Sequence, residues 1–168
     1  MADHQIAHVY LNDQSVKEQV RSILLNTPGV ELVLDSEGQK EYGINHKRAG
    51  DFVVMADDNS WFTYYFWLDD AKAPDYARSV DIHKKPGYDP VEMFMTSKAR
   101  AGYKLLRKKL GFRYVMDVIP LDATLIKGSH GRVNVPEKYA PVLITDEKQA
   151  EGALKPTQVF DVIWKYLY

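Results

Sequence analysis

The 168-residue chain contains no cysteine. That excludes a disulfide framework, a thiolate zinc site and a cysteine nucleophile, so any bound metal must use His, Asp or Glu. It also lacks charge of one sign: 22 Lys+Arg stand against 23 Asp+Glu, for a net charge of −1. Without a clustered basic excess there is no general attraction to phosphate backbones or anionic lipid, and neither a nucleic-acid polymer nor a membrane is expected as a partner. No stretch approaches the roughly 20 apolar residues of a membrane helix, and the opening MADHQIAHVY has no secretory n-region and h-region, so a cytoplasmic location is expected. Gly-rich phosphate loops, a G-x-S-x-G elbow, internal repeats and low-complexity tracts are all missing. What remains is 45% apolar and 12% aromatic, enough for one core, and at roughly one domain per 100–200 residues the length suits a single domain or part of one.

The pattern of residues predicts a mixture of strands and helices, an α/β or mixed α+β fold. Residues 5–11 read as a strand. Ser15 and Glu18 stand in capping-box spacing ahead of a helix bearing Val16, Val20, Ile23 and Leu24, which Thr27-Pro28-Gly29 stops. A second strand is expected at 30–34 and a short helix around 37–42. The β-branched run 52–56 and the aromatic run 61–67, separated by Asp57-Asp58-Asn59-Ser60, predict a β-hairpin. Residues 68–96 carry Pro74, Pro86 and Pro90 without clear periodicity, as a functional loop does. A helix with basic residues towards its end is predicted over 97–110, closed by Gly111. Strand-like pieces follow at 114–119 and 141–145. A final helix after Lys155-Pro156-Thr157 has a stripe of Val159, Phe160, Ile163, Trp164 and Leu167 suited to burial.

Three places carry residue types suited to chemistry. Gly128-Ser129-His130-Gly131 can present an imidazole at the mouth of a site because glycines permit tight turns; a plain turn with a solvated His is the alternative. In Asp81-Ile82-His83 an extended backbone would point carboxylate and imidazole the same way, as for one divalent ion, with Lys84, Lys85 and Tyr88 beside them to draw an anionic substrate. A surface loop with incidental Asp and His is the competing reading. Asp3-His4 offers an oxygen and a nitrogen ligand side by side, although adjacent strand residues face opposite ways unless the backbone turns there. His8 is expected to be half-buried within its strand and His46 to be solvated. The aromatic run 61–67 contains no Lys or Arg, which favours packing over a base-stacking platform.

The order of these pieces resembles a known family. Asn45-His-Lys-Arg-Ala-Gly-Asp51 before a strand, Gly128-Ser-His-Gly131 with the downstream Pro141-Val-Leu-Ile144, and the closing Pro156-Thr-Gln-Val-Phe160 look like the carboxy-terminal part of type I phosphodiesterase/nucleotide pyrophosphatase domains of the alkaline phosphatase superfamily. The run Val80-Asp-Ile-His-Lys-Lys-Pro-Gly-Tyr-Asp-Pro90 is similar to a bacterial branch of that group. The resemblance implies a doubly wound domain with a β-hairpin insertion, two divalent metals, usually zinc, and a Ser or Thr nucleophile. It maps His130 onto the family's last metal-ligand histidine and maps no nucleophile. The first metal-binding Asp, the nucleophile and the middle Asp-x-x-x-His ligands would lie ahead of residue 1. Asp3-His4 is followed by Gln5 rather than Gly, so the family's Asp-His pair is not carried over to it.

Two function classes follow as expectations. One is a metal-dependent hydrolase of phosphoester or pyrophosphate bonds in small-molecule substrates such as nucleotides, with His130, His83, Asp81, Asp3 and His4 as metal ligands and Lys84, Lys85 and Tyr88 as substrate contacts. On that reading the chain alone has little activity. The other is a non-catalytic cap, substrate-binding or oligomerisation module, with a homodimer formed through exposed aromatics. A nucleic-acid-binding fold resting on Arg107, Lys108, Lys109 and Arg113 is opposed by the neutral charge.

Overall fold

A computed structural model of the protein describes residues 1–80, 89–145 and 153–167. Asp81, His83, Lys84, Lys85 and Tyr88 lie outside the described residues. Two compact units are present, Met1–Val133 and Asn134–Tyr168. Among the described residues no helix is long and apolar enough to cross a membrane.

The first unit mixes helices with one sheet. In chain order it contains β1 (Ala2–Asp3), β2 (Ile6–Val9), α1 (Lys17–Leu25), β3 (Val30–Leu34), α2 (Ser36–Glu41), β4 (Phe52–Ala56) and α3 (Lys98–Lys109). The strands lie in the order β1-β2-β4-β3, every neighbouring pair antiparallel. A doubly wound sheet has parallel neighbours, so the described sheet departs from that expectation while the mixed α and β content agrees with it.

β4 is the centre of this unit. All five of its residues are buried, and their period-2 alternation feeds two cores. Phe52 and Val54 join Val33 beneath Val20 and Leu24 of α1, whereas Val53 and Met55 join Leu34 with Ile6, Leu32 and Ala49 on the opposite face. A bulge between Val30 and Leu32 puts those two residues into different cores, although residues two apart in a regular strand share a face. Glu31, at the bulge, reaches the segment that carries the His loop.

Because β2 and β4 pair on one side and β3 and β4 on the other, both edges of β4 are used. The aromatic run 61–67 therefore cannot pair with β4, and the expected hairpin does not form. Tyr65 and Trp67 pack instead against a third core of Ala77, Val91, Ile119 and Leu121. The piece 114–119 is likewise no strand. Among the described residues its backbone bonds are divided between two segments, with Val80 N donating to Met116 O, Ile119 N to Arg78 O and Thr96 N to Val118 O, too few on either side for a ladder.

Helix ends follow local chemistry. Ser97 caps α3, its hydroxyl accepting from Arg100 N, and Gly111 beyond the helix takes φ +78°. At α1 the expected Ser15 cap is displaced: the Asp13 carboxylate accepts from Ser15 N at 2.8 Å and opens a short turn, Gln14–Val16, ahead of the helix. His8 is half-buried, with Nδ1 accepting from Gly50 N, and His46 is exposed.

α3 is tied to the 114–119 segment by Asp117, which bonds Lys104 Nζ at 2.6 Å and Arg100 Nη2 at 2.5 Å. The Lys104 hydrogen bond, followed by that of Arg100, pulls the Asp117 carboxyl down to about 2. An unfolded Asp titrates near ~3.9, so the native state favours the ionised form. This contribution is complete above the unfolded value and is lost as pH falls through about 2. In urea titrations, the stability advantage of the natural chain over Asp117→Asn is expected to shrink between pH 4 and pH 2. An advantage constant across that range would contradict it.

The second unit, Asn134–Tyr168, holds two short helical turns, Glu137–Tyr139 and Pro156–Gln158, followed by α4 (Val159–Leu167). Residues 141–145 are not a buried strand: Val142 and Ile144 are exposed, and no described residues of this unit form a strand to pair with them. The stripe on α4 is not buried either, since Phe160, Ile163, Trp164 and Leu167 are all about half exposed or more.

Candidate functional site

The site is built on the turn between β1 and β2. Asp3 pairs with Ile6, leaving His4 and Gln5 as a two-residue connection, and His4 takes φ +55°. A positive φ at the first turn position suits the right-handed twist of a hairpin but usually falls to glycine. In a non-glycine residue it carries a conformational cost, of order 1–3 kcal/mol in strained cases. Its effect is to break the strand alternation that would otherwise set Asp3 and His4 on opposite faces.

His4 is held from several sides. Its carbonyl accepts from Phe62 N at 2.6 Å, and Nδ1 lies 3.2 Å from Ser129 Oγ. Its ring centroid is 4.1 Å from that of His130 with the planes tilted by 38°, and 6.2 Å from that of Trp61. Asp3 Oδ1 accepts from the Tyr64 hydroxyl at 3.2 Å. Burial, and then the Asp3 charge, push the Tyr64 phenol up.

The glycine-bracketed loop docks on this turn. Gln5 N donates to His130 O at 2.9 Å, and Gly131 has φ +113°, where an L side chain is strained. A Cβ at Gly131 would also lie 3.4 Å from Ile6 Cγ2. Arg132 then anchors the loop. Its side chain is only 5% exposed, with Nη2 2.5 Å from Glu31 at the bulge and Nη1 bonded to Asp58. The buried Gln5 amide donates to both Asp57 O and Ser60 O at 3.1 Å. Asp57 stiffens the same turn, its carboxyl held below the usual range by the Ser60 hydroxyl and the Asn59 N–H. Three segments distant in sequence, residues 3–5, 57–64 and 128–132, are thereby joined around His4.

Beside the histidine pair lies a cleft of about 560 Å³, with Gln5, Asn59, Trp61, Thr63, Lys127 and Ser129 in its walls. Ser129 both lines it and bonds His4.

Of the residues expected to act, the structure brings His4 and His130 together, Asp3 adjoins His4 in the chain and bonds Tyr64, and Asp81, His83, Lys84, Lys85 and Tyr88 lie outside the described residues. Tyr64, Gln5, Trp61 and Arg132 are members that no short motif marks; Arg132 had the plainest signal, standing directly after the Gly-Ser-His-Gly loop. Two imidazoles and a carboxylate are the donor types that zinc takes. They do not converge as a metal-holding set, because among the described residues no group of three or more His, Asp or Glu could hold a metal ion. No family model, no curated protein and no solved structure matches the chain.

Proposed function

We propose that the chain is the carboxy-terminal portion of a metal-dependent phosphodiesterase or nucleotide pyrophosphatase of the alkaline phosphatase superfamily. In this reading His130 and His4, with Asp3 beside them, contribute ligands to a divalent ion, most simply zinc. The observation that carries it is the approach of the two imidazoles to 4.1 Å across the β1–β2 turn and the 128–131 loop. Support comes from His4 itself, a non-glycine residue kept at positive φ in the middle of the cluster.

With Nδ1 bonded to Ser129, Nε2 is the nitrogen through which His4 would meet an ion, and Ser129 would set the orientation of the ring. Tyr64 would hold the Asp3 carboxylate in place through its hydrogen bond. When bound, such an ion supplies Lewis-acid stabilisation of phosphoryl oxygens. The nucleophile and the remaining ligands would come from the segment that the resemblance sets ahead of residue 1. The antiparallel strands would then form a margin of the family's doubly wound sheet, as mixed sheets commonly allow.

Calorimetric titration of the chain with Zn²⁺ tests the reading. Binding is expected, with His4→Ala and His130→Ala each weakening it at least tenfold, while turnover of a chromogenic phosphodiester by the chain alone stays at background. Unchanged Zn²⁺ affinity in the double variant would sink the proposal.

A further inference from the structure

We propose that α3 docks the chain on a bilayer surface carrying anionic headgroups, lying in the plane of that surface with Tyr103, Leu106 and Leu110 set into the headgroup–acyl boundary. The inference stands apart from the hydrolase reading and rests on a different part of the molecule.

Charge selects an anionic partner. No acidic residue stands between Glu92 and Asp117, and that interval holds seven Lys and Arg, six of them on α3. The net charge of −1 averages this segment with a remainder in which acids outnumber bases, so whole-chain neutrality does not describe this helix. Among the described residues the acid that pairs with the segment is Asp117, and it takes Arg100 and Lys104. Lys98, Lys109 and Arg113 are left for a partner.

The seating of the helix turns its apolar side outwards. Ala99, Tyr103, Leu106 and Leu110 recur at i, i+4, i+7 and i+11, along one face. Tyr103, Leu106 and Leu110 are 56%, 53% and 61% exposed. The side that bears Arg100 and Lys104 is held to Asp117 instead, and the Lys104 side chain is only 18% exposed. A surface helix of a globular protein ordinarily does the reverse, burying its apolar stripe and exposing its charges. By helical spacing Lys98 and Lys109 border the stripe on one side and Arg107 on the other. Arg107 lies 5.9 Å from the ring centroids of both Tyr103 and Phe112 and donates to Arg113 O at 2.9 Å, which folds the exposed Phe112 back beside the stripe.

Stripe and cations together favour lipid. Helices that lie in a membrane interface combine a Lys- and Arg-rich polar face with Leu and aromatic residues on the other, because headgroup anions meet the first and the acyl boundary receives the second. A nucleic acid answers the charge, but its phosphate backbone offers no apolar layer to Leu106 and Leu110.

Flotation of the 168-residue chain with vesicles tests the assignment, comparing phosphatidylcholine alone with phosphatidylcholine carrying phosphatidylserine at about one lipid in four. Binding to the anionic vesicles is expected to be at least ~10-fold tighter than to the neutral ones and to fall as salt rises from ~50 to ~500 mM. Lys98→Gln/Lys109→Gln/Arg113→Gln should weaken it roughly 30- to 150-fold, about three- to fivefold per cation. Leu106→Gln/Leu110→Gln, which leaves every charge in place, should weaken it at least ~10-fold. Ile163→Gln, on the exposed stripe of α4, should leave it unchanged. Circular dichroism establishes that each variant is folded. Equal binding to both vesicle types, binding to neither, or an affinity for anionic vesicles that Leu106→Gln/Leu110→Gln does not lower overturns the proposal. Loss of binding in Ile163→Gln with the α3 variants unaffected overturns it by moving the contact to α4. If vesicles stay unbound while a random-sequence DNA duplex is retained, or while the chain forms a dimer that Leu106→Gln/Leu110→Gln breaks, the surface belongs to that partner and not to lipid.

Discussion

Phe52→Ala is expected to lower the free energy of unfolding by about 3–5 kcal/mol, the cost of truncating a fully buried aromatic. Phe52 is wholly buried at the start of β4, packed with Val33 and Val54 and covered by Val20 and Leu24 of α1 and by Phe62. Lys17 of α1 lies over its ring, 5.6 Å from the centroid. The cavity left by alanine cannot be closed by moving the strand, because β2 and β3 hold both edges of β4. Domains of this kind are typically stable by ~5–15 kcal/mol, so the loss would remove a large share of the total. Urea denaturation followed by circular dichroism measures it. The exposed Leu105→Ala on α3 serves as the reference and should change stability by no more than about 0.5 kcal/mol. A Phe52→Ala effect below about 1 kcal/mol would mean that this core is not the one that holds the first unit together.

Arg132→Ala is expected to have the second largest effect, about 2 kcal/mol of stability, and to loosen the candidate site as well. Removing one partner of a fully buried ion pair costs ~3–5 kcal/mol because a charge is left without compensation. Here Arg132 is buried, but Glu31 and Asp58 are 36% and 44% exposed, so water takes over part of what the guanidinium supplied. Arg132→Lys should rescue little, since a single ammonium cannot span both carboxylates as the planar fork does. The readout that separates anchoring from general destabilisation is local: exchange of the Gln5 amide, which donates to His130 O, should accelerate more in Arg132→Ala than that of the β4 amides. Uniform acceleration across both would show that Arg132 acts on global stability alone.

Elements whose ends carry their own chemistry were legible without coordinates. β3 and β4 fall where β-branched runs end at turn residues, and α3 lies between the Ser97 cap and Gly111. The runs 61–67, 114–119 and 141–145 have strand-like composition too, yet none is a strand. A strand exists only with a free edge beside it, and edge availability is decided by pairings between residues far apart in the chain. The same cause hid half of the candidate site. His130 is marked by its flanking glycines, a local signal. The partnership of Asp3 with His4 ran against strand alternation, and only the turn at φ +55° turned them into one cluster.

Composition determined that any metal bound by this chain must be held by imidazole or carboxylate and that attraction to polyanions has no broad electrostatic basis, and the residue pattern determined that helices and strands mix. Which histidines meet was decided by tertiary structure. The bulge at Glu31, the Arg132 anchor and the Gln5 bonds are long-range contacts that no window of sequence contains, and together they bring His130 to His4 and shape the cleft beside them.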